Sequence, residues 1–228
     1  MKKLIVISLG GSIIIPDPMD INFLKKFRDT LRSHYSHYKF VIVCGGGSIA
    51  RKYLEALRAI NRSEYEQSCA GIRATRMNAR FMMQFFGKEA NNTLPGNMLQ
   101  VKNELRKNNL IICGALRYVP DSTSDSTAAR LAQYLKTEFI NVTNTSGLHT
   151  ADPKKDPNAR LIPKISWKEF EDLAHSKSYV PGQHFVLDQK AATIIRKQQI
   201  PTYIIGPDCA QISNILHQKP FKGTVIIH

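Results

Sequence analysis

Two glycine turns, each directly after a short apolar run, most restrict what this chain can fold into. Residues 4–7 are apolar and lead into Leu9-Gly10-Gly11-Ser12, and residues 40–44 lead into Gly45-Gly46-Gly47-Ser48. A continuous apolar run bounded by turn residues is typical of a buried strand. Because apolar residues recur with helical spacing over 49–57, the sequence predicts a strand, a tight turn and then a helix.

The same alternation continues along the rest of the chain. Apolar runs at 110–113, 138–142, 202–205 and 223–227 predict four more strands. Helices are predicted over 64–86, after capping residues at 122–125, from Ser166 onward, and over 190–196. Strands that alternate with helices are typical of an α/β protein whose largely parallel sheet is covered on both faces. We expect a single domain over 1–228, with exposed loops over 91–95 and 146–163.

The composition excludes several classes of protein. With 228 residues, 43% of them hydrophobic, the chain is large enough to bury a substantial core. Its longest apolar runs fall far short of the ~20 residues that cross a bilayer, and no cleavable secretory signal follows Met1. The cysteines stand far apart without metal-type spacing, which indicates buried free thiols at Cys44, Cys69, Cys113 and Cys209 rather than disulfides or metal ligands. These features predict a cytoplasmic protein without a membrane span.

The charge is strongly positive and unevenly distributed. Lys and Arg number 32 against 18 Asp and Glu, a net charge of +14, and residues 1–114 hold 18 of the basic and 8 of the acidic residues. A positive field favours anionic ligands. The basic residues never form the block of five or six that marks a nucleic-acid-binding arm. Nucleic acid is therefore the least favoured partner, and a simple solvated basic surface stays open.

The glycine turns are also candidate phosphate-binding sites. Glycine lets a backbone approach a ligand closely, and ligands of open α/β sheets collect at the carboxyl ends of the strands. Neither turn fits GxxxxGK[ST] or GxGxxG, which argues against a Walker-type NTPase and a Rossmann dehydrogenase. Two such turns with Arg51 and Arg76 nearby suit phosphoryl transfer between two nucleotides, in which Mg²⁺ and basic side chains neutralise charge. Glycines that only make corners and arginines that only face solvent remain alternatives.

Six motifs follow one another in a recognisable order. They are Leu9-Gly10-Gly11-Ser12, the run from Gly45 to Tyr53, Gly71-Ile72 with 75–79, Thr143-Asn144, the run from Thr150 to Pro157, and Val186-Leu187-Asp188 with Ala191-Ala192. Over nearly all of the chain they resemble the amino acid kinase superfamily, and within it the archaeal type of UMP kinase. The resemblance implies a three-layer αβα sandwich with a mainly parallel central sheet, in which residues 1–138 bind the acceptor and residues 139–228 bind ATP. It also implies a hexamer that transfers a phosphoryl group from Mg²⁺-bound ATP directly to UMP, giving UDP for pyrimidine nucleotide biosynthesis.

The resemblance also implies roles for individual residues. The catalytic group beside the transferred phosphoryl comprises Gly10, Gly11 and Ser12. The acceptor site comprises Gly45, Gly46, Arg51, Ser68, Thr123, Ser124 and Asp125. The ATP site comprises Gly47, Asn144, Gly147, His149, Asp152 and Pro153, and no residue is assigned as a metal ligand.

The chain departs from the family in the segments 114–125 and 144–149 and at three single positions. Ser8 stands where many superfamily members have a lysine, and Ser68 stands where UMP kinases generally have an aspartate that binds the ribose hydroxyls. A serine cannot offer two acceptor oxygens to a diol. Lys190 replaces a usually apolar residue, and it either faces the phosphates or is an exposed helix lysine. Two other functions therefore stay open: a kinase of the same fold for another small phosphate or carboxylate, and a catalytically weak anion-binding or regulatory homologue.

Overall fold

A computed structural model describes residues 2–120, 122–153, 155–176 and 186–228. Asp121, directly before the capping residues at 122–125, and Lys154, in the motif from Thr150 to Pro157, therefore lie outside the described residues. The strands are β1 (Lys3–Leu9), β2 (Tyr38–Cys44), β3 (Leu110–Cys113), β4 (Glu138–Val142), β5 (Lys164–Ser166), β6 (Thr202–Ile205) and β7 (Thr224–Ile227). The helices are α1 (Gly11–Ile14), α2 (Ile21–Ser33), α3 (Gly47–Ala59), α4 (Glu64–Phe86), α5 (Met98–Glu104), α6 (Ser124–Leu135), α7 (Trp167–Ser176), α8 (Gln189–Gln198) and α9 (Cys209–Leu216), with a 3₁₀ turn at Gly87–Glu89.

All seven strands form one sheet, in the order β3-β2-β1-β4-β6-β7-β5. Every neighbouring pair is parallel except β6 with β7, which is antiparallel. The strands at the centre are apolar on both faces because helices cover both sides of the sheet. The prediction of a mainly parallel α/β sheet is confirmed.

Two separate hydrophobic cores lie on the two faces of the sheet. Successive side chains of a strand point to opposite faces, so Ile5 and Ile7 of β1 pack with α2, α4 and α9, whereas Val6 packs with α6, α7 and α8. The two cores make the molecule a three-layer αβα sandwich, as expected. No helix within the described ranges is long and apolar enough to cross a membrane.

The sequence prediction of an exposed loop over 91–95 is wrong for Asn91 and Pro95, which are both buried. The Asn91 side chain forms hydrogen bonds beside β3 that a neighbouring strand would otherwise form. The Asn91 Oδ1 accepts from the Ile112 N–H at 2.6 Å, and its Nδ2 donates to the Ile112 carbonyl at 3.1 Å. β3 lies at one end of the sheet, where unpaired backbone groups would otherwise face solvent or other chains. The loop therefore covers the edge strand.

The four thiols are free, as predicted, but only two are fully buried. Cys44 and Cys113 end β2 and β3 inside the molecule, where burial raises the pKa of Cys113 to about 12 and that of Cys44 well above its usual value. Cys69 and Cys209 are half-buried. The two strand-end thiols therefore behave as small apolar core groups.

Candidate active site

The carboxyl ends of five strands meet at one edge of the sheet. β1 lies between β2 and β4, and the chain runs from β1 to β2 on one side before crossing to β4 on the other. The turn after β1 is therefore at the point where the strand order reverses. Ligands of open α/β sheets bind at such a switch point. The glycine turns after β1 and β2 both lie at this edge.

The two glycine turns touch each other and form a single cradle. A Cβ added to Gly11 would lie 2.1 Å from the Gly47 nitrogen and 2.6 Å from the Gly45 carbonyl oxygen. Gly47 has a φ of +66°, a conformation that favours glycine. The structure therefore brings Gly10, Gly11 and Ser12 together with Gly45, Gly46 and Gly47. Amides in the first turn of a helix have no acceptor within that helix and can bind an anion. Gly11 is the first residue of α1, and Gly47 is the first residue of α3.

Two buried polar side chains of α4 hold the backbone at this edge of the sheet. The Asn78 Nδ2 donates to the Gly45 carbonyl at 2.7 Å. The Thr75 Oγ1 accepts from the Ala115 N–H at 2.9 Å, which ties the turn after β3 to the same helix. Both residues belong to a segment that the sequence marks by resemblance, but their supporting role was not predicted. Their i, i+3 spacing places them on one face of the helix.

Two further acceptor residues, Arg51 and Ser68, lie on α3 and α4, and Arg76, which was expected near the turns, also lies on α4. Arg51 is exposed in the second turn of α3, four residues after Gly47. Ser68 is half-buried on α4, seven residues before Thr75, which is about 10 Å along the helix axis. Arg76 donates through Nη1 to the Pro95 carbonyl at 3.3 Å, so its guanidinium is held by the loop after α4.

A carboxyl pair lies directly beside the turn after β1. The Ser8 Oγ donates to the Asp125 Oδ1 at 2.7 Å, so the serine that stands in place of a lysine contacts the first turn of α6. Asp188 caps α8 and accepts from the Thr123 hydroxyl, from the Ser126 N–H at 3.1 Å and from the Ala191 N–H at 2.7 Å. These contacts join the start of α6 to the start of α8.

Burial disfavours negative charge on both carboxyls, and repulsion from Asp188 adds to this effect at Asp125. Burial, with a smaller contribution from the Asp188 charge, raises the pKa of Asp125 to about 7, and the bond from Ser8 opposes the shift. Burial also raises the pKa of Asp188, against the bonds from Thr123, Ala191 and Ser126. Near neutral pH, therefore, Asp125 changes its protonation state.

Gly47, one of the residues assigned to ATP, is part of the cradle, and the others lie after β4. Asn144 is exposed directly after the strand, and Asp152 and Pro153 are exposed in a later turn. His149 pairs with Leu161 in a β-bridge, and its Nδ1 lies 3.0 Å from the Gly147 carbonyl oxygen. Gly147 is buried with a φ of +150°, where a Cβ would lie 2.7 Å from Leu161. The structure thus gives Gly147 a packing role, and its contact with a nucleotide stays a prediction.

Two glycine turns in contact at the switch point of a parallel sheet are an arrangement that suits an anionic, phosphate-bearing ligand. The model of the amino acid kinase family matches residues 3–206 of this chain. The chain belongs to the amino acid kinase family.

Individual relatives cover essentially the whole chain. The uridylate kinase of Thermococcus onnurineus is 32% identical over 224 residues, covering 97% of this chain and 98% of the relative. That of Thermoplasma volcanium is 33% identical over 228 residues, covering 99% and 98%. The crystal structure of uridylate kinase from Archaeoglobus fulgidus matches with a TM-score of 0.85 and 31% identity, covering 99% of this chain and all of the other. The predicted membership and fold are confirmed.

Proposed function

We propose that this protein is a uridylate kinase, which transfers the terminal phosphoryl group of ATP to UMP and gives ADP and UDP. The observation that carries the proposal is the contact between the two glycine turns, because it brings two phosphate-binding backbones together at one point. Phosphoryl transfer needs two anionic groups held in line at close range. The full-length similarity to archaeal uridylate kinases favours UMP as the acceptor.

Residues 1–138 would hold UMP and residues 139–228 would hold ATP. The turn of Gly10, Gly11 and Ser12 would bind the transferred phosphoryl group through the amides of Gly11 and Ser12, because the Gly10 N–H donates to the Val142 carbonyl at 3.1 Å. Gly45, Gly46 and Arg51 would bind the acceptor phosphate, while Ser68 and the residues Thr123, Ser124 and Asp125 would lie along its nucleoside. Gly47, Asn144, Gly147, His149, Asp152 and Pro153 would line the ATP site. Catalysis would come from positioning and from hydrogen bonds to phosphate oxygens.

Mg²⁺ would enter this site with ATP. Within the described ranges no cluster of three or more His, Cys, Asp or Glu side chains could hold a metal ion. Mg²⁺ commonly keeps several waters and is bound through the phosphates of its substrate. When bound, Mg²⁺ neutralises phosphate charge.

The acceptor is tested by measuring ADP release with Mg·ATP and one acceptor at a time, against a blank without acceptor. The panel is UMP, CMP, AMP, GMP, carbamate and isopentenyl phosphate. We expect turnover with UMP well above every other compound. Turnover with a different acceptor would mean that Ser68 marks another substrate for the same cradle. No turnover with any compound of the panel would support an anion-binding or regulatory homologue instead.

Arg51→Ala should weaken acceptor binding selectively. Its guanidinium lies one helical turn after the acceptor glycines and would pair with the UMP phosphate, so we expect the KM for UMP to rise about 10- to 100-fold. The KM for ATP should change less than threefold. Arg58→Ala is the control, because Arg58 is exposed in the last turn of the same helix. An equal rise in the KM for UMP and the KM for ATP would show that Arg51 does not belong to the acceptor site.

We also propose that the protein is a homo-oligomer, with a hexamer as the expected form. α3 has no buried residue, and Ile49, Tyr53 and Ile60 are 38%, 52% and 62% exposed on or directly after it. Large apolar side chains clustered on one surface are typical of an interaction site. A second copy of this chain would cover them.

The cell context follows from the proposed reaction. We place the enzyme in the cytoplasm, where reduced thiols such as the four free cysteines are maintained. Its product, UDP, would supply pyrimidine nucleotide biosynthesis.

A further inference from the structure

The segment between β3 and α6, residues 114–123, begins and ends beside the glycine cradle. At its start, a Cβ on Gly114 would lie 2.7 Å from the Thr75 Oγ1, and one on Gly46 would lie 3.5 Å from the Thr75 Cγ2. At its end comes Asp125, which accepts from Ser8, two residues before Gly10. We call the described residues of this segment, 114–120, 122 and 123, the acceptor loop. An acceptor held in the cradle would lie against it.

The first half of the acceptor loop is attached to α4. The Ala115 N–H donates to the Thr75 Oγ1 at 2.9 Å. Further along, the Tyr118 ring packs edge-on against Tyr65, with the ring centroids 4.9 Å apart and the planes at 84°. Such edge-to-face pairs are favourable contacts. α4 therefore contacts the loop at two residues, Ala115 and Tyr118.

The second half of the loop is attached to α8, where the structure explains an unusual residue. The Lys190 Nζ donates to the Pro120 carbonyl at 2.5 Å. Asp188, two residues earlier, holds the next part of the chain through the Thr123 hydroxyl and the Ser126 N–H. The start of α8 thus holds the chain before and after the position where α6 begins. Lys190 is half-buried, and its ammonium group contacts the backbone of the loop.

The contact from Lys190 is not duplicated by Asp188. A bond from an ammonium group to a carbonyl is charge-assisted and stronger than a neutral one. An apolar side chain at position 190 would leave the bonds to Asp188 in place but would release the Pro120 carbonyl. The loop would then have to be ordered whenever an acceptor binds, and that ordering reduces affinity.

We propose that Lys190 is a positioning residue that keeps the acceptor loop in place beside the cradle when an acceptor binds. The inference rests on the proposed function, because the loop serves catalysis only if an acceptor binds in the cradle. Lys190 acts through Pro120, so its loss affects the acceptor more than ATP or the transfer step. The selectivity between the two substrates separates this role from a direct contact with the phosphates.

The test compares Lys190→Met and Lys190→Arg with the wild type in steady-state kinetics with Mg·ATP and UMP. We expect Lys190→Met to raise the KM for UMP about tenfold, with kcat and the KM for ATP within twofold. Lys190→Arg keeps the charged donor and should stay within threefold of the wild type. Lys197→Met is the control, because Lys197 is exposed in the last turn of the same helix.

Amide hydrogen exchange of the ligand-free proteins gives a second readout that needs no activity. Lys190→Met should speed exchange in the acceptor loop at least fivefold and leave α3 unchanged, whereas Lys197→Met should change neither. Unchanged loop exchange, or an unchanged KM for UMP, would overturn the proposal, as would a matching loss in kcat or in ATP affinity. A wild-type protein inactive with UMP would overturn the proposed function alone, and the exchange data would then decide the role of Lys190.

Discussion

Gly11→Ala is expected to reduce kcat/KM for UMP by at least 100-fold and to destabilise the protein. The new methyl group would lie 2.1 Å from the Gly47 nitrogen and 2.6 Å from the Gly45 carbonyl oxygen, which are backbone atoms with little freedom to move. The two turns would have to separate. Overpacking of this kind costs about 1–3 kcal/mol or more. A displacement of about 1 Å between reacting groups can lower a rate about 100-fold.

The measurement combines steady-state kinetics with thermal unfolding of the same variant. Gly96→Ala is the matched control, because a Cβ there meets only the Gln100 side chain at an ordinary 3.5 Å. The control should keep its activity within twofold. If Gly11→Ala keeps wild-type kinetics while its unfolding temperature falls, the contact between the turns is structural and the phosphoryl group binds elsewhere.

The parts of the fold that could be predicted are those with a strong local signal. Apolar runs located β1 to β4, β6 and β7 within two residues, because a strand buried on both faces needs a continuous apolar run. α4 begins and ends where its periodicity predicts, and its start carries a capping box between Ser63 and Glu66. β5 was missed because it has only three residues, none of them buried. Such a strand depends on its pairing with β7 rather than on its own sequence.

The parts of the site that could be predicted follow from connectivity. Parallel strands bring their carboxyl ends to one edge, so the turns after β1 and β2 were expected at the same edge of the sheet. The contacts that support the cradle join residues far apart in sequence, such as Ser8 with Asp125 and Lys190 with Pro120, 117 and 70 positions apart. Spacing rules describe only neighbours within one element. These long-range pairs therefore required the folded structure.

Asp125→Asn is expected to make the protein more stable at pH 8 and less active. The carboxyl of Asp125 is half-buried beside Asp188, and its pKa is raised to about 7 from an ordinary value of 3.8. The folded protein therefore binds this proton more tightly than the unfolded chain, so ionisation opposes folding. Stability is highest when the carboxyl is protonated in both states, and it falls as the pH rises from about 4 to about 7. Asparagine has no proton to lose.

Urea unfolding at pH 5 and pH 8 measures this effect. The advantage of Asp125→Asn over the wild type should grow by about 2 kcal/mol between the two pH values, after allowance for solvent around a half-buried group. Asp172→Asn, on the exposed side of α7, should show no such growth. A gain that is equal at both pH values would mean that the bond from Ser8 fully offsets the burial of the carboxyl.

The kinetics of Asp125→Asn separate a catalytic charge from a structural one. Asparagine can still accept the bond from Ser8, so the local structure is kept while the negative charge at the start of α6 is lost. We expect kcat/KM for UMP at pH 8 to fall about tenfold or more. A buried charge that destabilises the fold is commonly kept where it serves activity. A variant that is both more stable and fully active would contradict this, and would leave Asp125 as a structural partner of Ser8.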